Sequence, residues 1–116
     1  MARIAYVGTP GLAVPPLEAL LRAGHDVVLV VTRGDRRRGR GGALAPSPVK
    51  EEALRLGLPV CERVKDLIDP AGKALVELGV VVAYGRLIPA SVLASVPMVN
   101  MHFSLLPRWR GAAPVE

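Results

Sequence analysis

A chain of 116 residues forms one domain at most and buries a modest core. Apolar residues make up 51% of it and aromatics only 3%, so the core is aliphatic, a composition suited to parallel strands covered by helices. With Cys61 as the only cysteine, a disulfide framework and multi-cysteine metal sites are excluded, no apolar run approaches the roughly 20 residues of a membrane span, and the net charge of +5 is held mostly by arginine.

These properties lead us to expect a cytoplasmic protein with no signal peptide, no membrane contact and no metal, and with a polyanion among its partners. Arg3 to Val7 reads as a first strand and Gly8-Thr-Pro-Gly-Leu12 as the turn after it. Val14, Leu17, Leu20 and Leu21 recur at helical spacing between Ala13 and Ala23, and Gly24 is placed to end that helix. Asp26 to Thr32 is a β-branched run of the kind buried on both faces of a sheet. Gly8 and Gly11 do not fit G-x-G-x-x-G, and Thr32 stands where a ribose-binding acid would be expected, so dinucleotide binding is disfavoured. Gly8, Thr9 and Pro10 then either shape a tight turn or line an active-site rim.

Arg33 to Gly42 carries five arginines and four glycines with no hydrophobic period, and reads as a mobile basic excursion within a longer insertion, 33–46. It is either a solvated loop or an arm that orders on a nucleic-acid backbone, its guanidiniums meeting phosphates. Ser47-Pro48 looks like an N-cap followed by proline at the first helical position, opening a helix that runs through Leu56 and stops at Gly57. A short strand follows at Pro59 to Cys61, and Asp66 to Leu78 reads as an amphipathic helix whose first turn contains Pro70 and Gly72. Gly79 to Ala83 is a fourth strand, Tyr84 to Pro89 caps it, a short helix spans Ala90 to Ser95, and Met98 to His102 is a fifth strand. Alternation of this kind gives an α/β fold with a doubly wound, mostly parallel sheet, which binds ligands at the carboxyl edge of its strands.

The stretch from Val99 to Pro114 carries the densest chemistry. Asn100 and His102 stand two residues apart on a strand, so both side chains are expected on one side, an amide donor beside an imidazole. Together they suit a developing oxyanion and a proton in transit. Arg108 and Arg110 flank the only tryptophan, Trp109. His25, just past a helix end, reads as an ordinary core or surface residue.

Asn100-Met-His-Phe-Ser-Leu-Leu-Pro107 resembles the N-x-H-x-S-L-L-P signature of folate-dependent formyltransferases, and Arg108-Trp-Arg-Gly-Ala-Ala-Pro114 resembles the branch of that family acting on methionyl-tRNA. Gly8-Thr-Pro10, Gly39 to Gly41, Ala45 to Lys50 and Val82-Ala-Tyr-Gly85 are similar to that branch in order and spacing. The resemblance covers the whole chain as the N-terminal part of a Rossmann-like formyltransferase domain. It implies formyl transfer from 10-formyltetrahydrofolate, a substrate and not a resident cofactor, to the α-amino group of methionine on initiator tRNA. Under it, Asn100 and His102 would be catalytic, while Ser104, Leu105, Leu106 and Pro107 would line the folate site with Leu87 and Ile88. Tyr84 and Gly85 would join Gly8, Thr9 and Pro10 at the rim. Arg40 matches the family's loop arginine for the acceptor stem, with Arg36, Arg37 and Arg38 as neighbours able to serve. Arg108 and Arg110 would meet either the tRNA end or the folate glutamate tail. A small ribonucleotide or nucleotide-sugar amine is the alternative acceptor, and a non-catalytic RNA-binding remnant the alternative outside enzymes. The resemblance further implies a catalytic aspartate and a tRNA-binding barrel beyond Glu116. From this we expect a monomeric parent enzyme, and a 116-residue piece that is nearly inactive and self-associates through the apolar edge of its fifth strand.

Overall fold

The computed structural model describes residues 2–37 and 42–101, with the backbone alone for Arg37. Five strands form one parallel sheet: β1 (Arg3–Gly8), β2 (Asp26–Val31), β5 (Val60–Cys61), β6 (Leu78–Val82) and β7 (Met98–Met101), in the spatial order β5-β2-β1-β6-β7. A separate antiparallel pair, β3 (Arg36–Arg37) and β4 (Leu44–Ala45), stands between β2 and the second helix. The helices are α1 (Val14–Arg22), α2 (Pro48–Arg55) and α3 (Ala90–Ser95).

The alternation of side chains along each strand sorts the core into two layers. Ile4, Tyr6, Val30, Val80 and Val82 face Leu17 of α1 and Val49 and Ala53 of α2. Ala5, Val7, Val31 and Val81 face Val64, Leu67, Val76 and the α3 residue Val92 on the other side. Each fully buried Val or Leu contributes roughly 1.5–3 kcal/mol, so helices on both faces are what makes β1, β2 and β6 continuous apolar runs. The expected doubly wound parallel sheet is therefore the observed one.

From β1 the chain winds outward to β2 and β5, then returns to place β6 on the opposite side of β1. This reversal makes the carboxyl ends of β1 and β6 the switch point of the sheet, where such folds open a crevice. Gly8 meets Val82 there, and a Cβ on Gly8 would lie 2.7 Å from the Val82 carbonyl oxygen, so the close approach requires glycine. Above it, the buried Tyr6 hydroxyl donates to the Ala13 carbonyl and fixes the 3₁₀ turn Gly11–Ala13. Burial pushes the Tyr6 phenol well above its ordinary pKa, so the donor keeps its proton.

Two sequence expectations are corrected. No helix spans Asp66 to Leu78: a 3₁₀ turn, Val64–Leu67, is followed by a turn closed by an isolated bridge between Ile68 and Ala74. The Asp69 carboxylate accepts from the amides of Ala71 (3.0 Å) and Lys73 (2.8 Å), Pro70 lacks an N–H, and Gly72 sits at φ +86°. That local turn outcompetes the helix, while Leu67 and Val76 are buried from either side of it. The basic excursion is likewise not without secondary structure, since Arg36 pairs with Ala45 and Arg37 with Leu44.

The first helix lies where the apolar spacing put it, entered through a 3₁₀ turn at Gly11–Ala13 within what read as a plain turn, and α2 opens as expected. Ser47 accepts from the Lys50 amide at 3.0 Å, with Pro48 at the first helical position. Among the described residues β7 pairs on one side only, with β6, and it leaves Val99 49% and Met101 38% exposed.

Candidate active site

The carboxyl end of β6 does not stop cleanly. Ala83 takes a left-handed conformation (φ 52°) and Gly85 follows at φ 78°, turning the chain sharply outward. For a residue with a Cβ this conformation costs roughly 1–2 kcal/mol, and such strain gathers at binding sites. The turn buries the Tyr84 ring and leaves Leu87 96% exposed, while Ile88 packs back against the core beside α3. Leu87 thereby adds apolar surface at the mouth of the crevice.

On the neighbouring strand Asn100 pairs with Val81. Met98 and Asn100 line an open cavity of about 620 Å³ together with Val81, Ala83, Tyr84, Gly85, Arg86, Leu87, Ile88 and Leu93. Met101 falls on the opposite face, against α1, as the period of two requires. Five residues singled out from the sequence thus meet in one cavity: Tyr84, Gly85, Leu87, Ile88 and Asn100. Gly8, Thr9 and Pro10 do not line it. They sit at the end of β1 on the α2 side, where the Thr9 carbonyl accepts from the Val49 amide at 3.4 Å and the buried Thr9 hydroxyl has no partner among the described residues. Arg36 is exposed on β3. His102, Ser104, Leu105, Leu106, Pro107, Arg38, Arg40, Arg108 and Arg110 lie outside the described residues, as does the side chain of Arg37.

A smaller cleft of about 170 Å³ adjoins the cavity and shares Tyr84, Arg86 and Leu87 with it, adding Arg63, Val64, Lys65 and Pro89. Three cations therefore stand beside the apolar walls. Arg63 and Lys65 carry no motif, and only the 3₁₀ turn after β5 brings them here. Burial raises the Tyr84 pKa, while the Arg86 guanidinium and its hydrogen bond pull the other way, so the phenol remains a donor. Burial, then the Asp66 charge, pushes the nearby Cys61 thiol up to about 11, which keeps it protonated and a poor nucleophile. Among the described residues no three His, Cys, Asp or Glu side chains form a metal-holding group. No helix among them is long and apolar enough to cross a membrane.

This arrangement sets aliphatic walls, an amide on the edge strand and a cationic flank side by side. The family described as "Formyl transferase" matches residues 2–116. The chain is 52% identical over 126 residues to methionyl-tRNA formyltransferase of Heliobacterium modesticaldum (strain ATCC 51547 / Ice1), which covers 98% of this chain and 38% of that protein. It is 51% identical over 120 residues to that of Clavibacter sepedonicus, covering 98% and 39%. The crystal structure of glycinamide ribonucleotide transformylase 1 from Geobacillus kaustophilus superposes with a TM-score of 0.58 at 25% identity, covering 96% of this chain and 63% of that one. The chain thus spans under two fifths of the length of these two sequence relatives. With the family matched along residues 2–116, and with its sheet shared by a solved transformylase, the chain belongs to the formyl transferase family.

Proposed function

We propose that the protein transfers the formyl group of 10-formyltetrahydrofolate to the α-amino group of methionine on initiator tRNA, in the cytoplasm, as a step of translation initiation. The observation that carries this reading is the cavity in which Asn100 faces Leu87, Ile88, Tyr84 and Gly85. The apolar walls suit the pterin ring, and the cleft of Arg63, Lys65 and Arg86 suits the carboxylates at the donor's other end. The neutral amine forms a C–N bond to the formyl carbon, whose oxygen gains negative charge. Collapse of the tetrahedral intermediate breaks the bond to the donor nitrogen, and the proton lost by the amine ends on that nitrogen. Asn100 donates to the oxygen, and by the motif His102 supports the same charge and settles the proton. Ser104, Leu105, Leu106 and Pro107 complete the folate site in this reading.

Arg36, Arg37, Arg38, Arg40, Arg108 and Arg110 are assigned to the tRNA backbone. Identities of about half to relatives named for methionyl-tRNA, against 25% to the glycinamide ribonucleotide enzyme, favour the larger acceptor. The test is formylation by the native polypeptide, with 10-formyltetrahydrofolate as donor and methionyl initiator tRNA, methionyl elongator tRNA and glycinamide ribonucleotide as competing acceptors. Preference for the initiator supports the reading. Turnover of the ribonucleotide alone, or of none of the three, refutes it.

A further inference from the structure

The antiparallel pair β3–β4 rises from two feet, Thr32 to Asp35 on one side and Pro46 to Lys50 at the start of α2 on the other, and two ties join the feet to each other. At the inner tie Thr32 Oγ1 and Ser47 Oγ lie 2.7 Å apart, both residues fully buried. The same Ser47 oxygen accepts from the Lys50 amide at 3.0 Å, so one hydroxyl caps the helix and joins it to the end of β2. At the outer tie Lys50 Nζ donates to Asp35 Oδ1 at 2.8 Å, both side chains part-exposed. Lys50 therefore meets Ser47 through its backbone and Asp35 through its side chain. Arg38 and Arg40 fall in the segment 38–43 that joins the two strands.

We propose that Asp35 and Lys50 are positioning residues for nucleic-acid recognition: their ion pair sets the direction in which the β3–β4 pair leaves the carboxyl edge of the sheet. The pair touches no substrate. The hydroxyl tie fixes where the hairpin begins, and the outer ion pair fixes its bearing relative to α2. A hairpin pinned by one buried tie alone retains a hinge, and each hinged guanidinium must be ordered when it meets a phosphate, at a cost in affinity. This inference rests on the tRNA reading proposed above and extends it to residues outside the arginines.

The test uses Asp35→Asn, Lys50→Met, the double variant, and the charge exchange Asp35→Lys with Lys50→Asp. Each single variant raises KM for initiator methionyl-tRNA about threefold, as expected for losing one part-exposed ion pair, and leaves kcat and the donor KM unchanged. The double variant is no worse than either single one, and the exchange restores the parent KM. Amide hydrogen exchange quickens at residues 35–37 and 44–45 in Asp35→Asn but not within α2. The proposal is overturned if Lys50→Met weakens tRNA binding while Asp35→Asn does not, because Lys50 would then meet phosphate itself, or if the two losses add. A native protein with no preference for initiator methionyl-tRNA would remove the functional reading instead. Hydrogen exchange would still judge the tie, with unchanged exchange in Asp35→Asn counting against it.

Discussion

The cavity between β6 and β7 and the hairpin between β2 and α2 emerge from the same edge of the same sheet by opposite means. The cavity is built from apolar contacts: Val81, Leu93 and Met98 wall it, and a left-handed Ala83 throws Leu87 into solvent. Under the proposed function, packed walls of this kind suit the precise placement of a reacting carbon. The hairpin has two two-residue strands, a high positive charge and two polar ties at its base. Reach and charge serve a long polyanion, where many weak phosphate contacts add and none requires atomic precision. In the function proposed above, the contrast separates a site for chemistry from a site for capture.

Substitutions that touch one region and spare the other sharpen this contrast. The largest effect is expected at Asn100: replacement by alanine removes an oxyanion donor and lowers kcat by about 10²–10³, with the tRNA KM held within about twofold. Single-turnover formylation measures it, and a comparable rise in the tRNA KM would blur the two regions. Gly8→Ala acts on the sheet beneath both regions, because its Cβ meets the Val82 carbonyl where β1 and β6 pair. It should destabilise the fold by about 1–3 kcal/mol, read as a lower midpoint in urea. An unchanged midpoint would show that the strand ends relax freely. The smallest effect is expected at the hairpin. Arg36→Ala should reduce the log–log salt slope of tRNA binding by about 0.7–0.9 while leaving donor affinity untouched, and an unchanged slope would remove Arg36 from the interface.

Much of the fold was legible because its signals are local. The β-branched run of β2, the helical spacing in α1 and the Ser47-Pro48 cap of α2 each state their structure within a few residues. That parallel strands present ligand sites at their carboxyl ends placed Tyr84 to Pro89 and Asn100 at one edge, and the family resemblance singled out Leu87 and Ile88 there; the same rule also gathered Gly8 to Pro10, which do not line the cavity. The expected helix over Asp66 to Leu78 failed where Asp69 gave its carboxylate to the amides of Ala71 and Lys73, a competition that a helical apolar period does not register. The hairpin was missed because Arg36 and Arg37 have no strand-forming pattern. What pairs them with Ala45 and Leu44 is accompanied by ties spanning fifteen residues, Thr32 to Ser47 and Asp35 to Lys50. Arg63 and Lys65 were equally invisible, since only folding carries them to the flank of the cavity.

The separation of the two regions is tested most directly by side-chain and backbone NMR of the chain, titrated first with a 10-formyltetrahydrofolate analogue and then with initiator tRNA. The donor analogue is expected to shift the Asn100 side-chain amide and the Leu87 methyls and to leave the Arg36 amide in place. The tRNA is expected to move Arg36 at low salt and to release it as salt is raised. A donor analogue that shifts Arg36 while Asn100 and Leu87 stay silent would contradict the account.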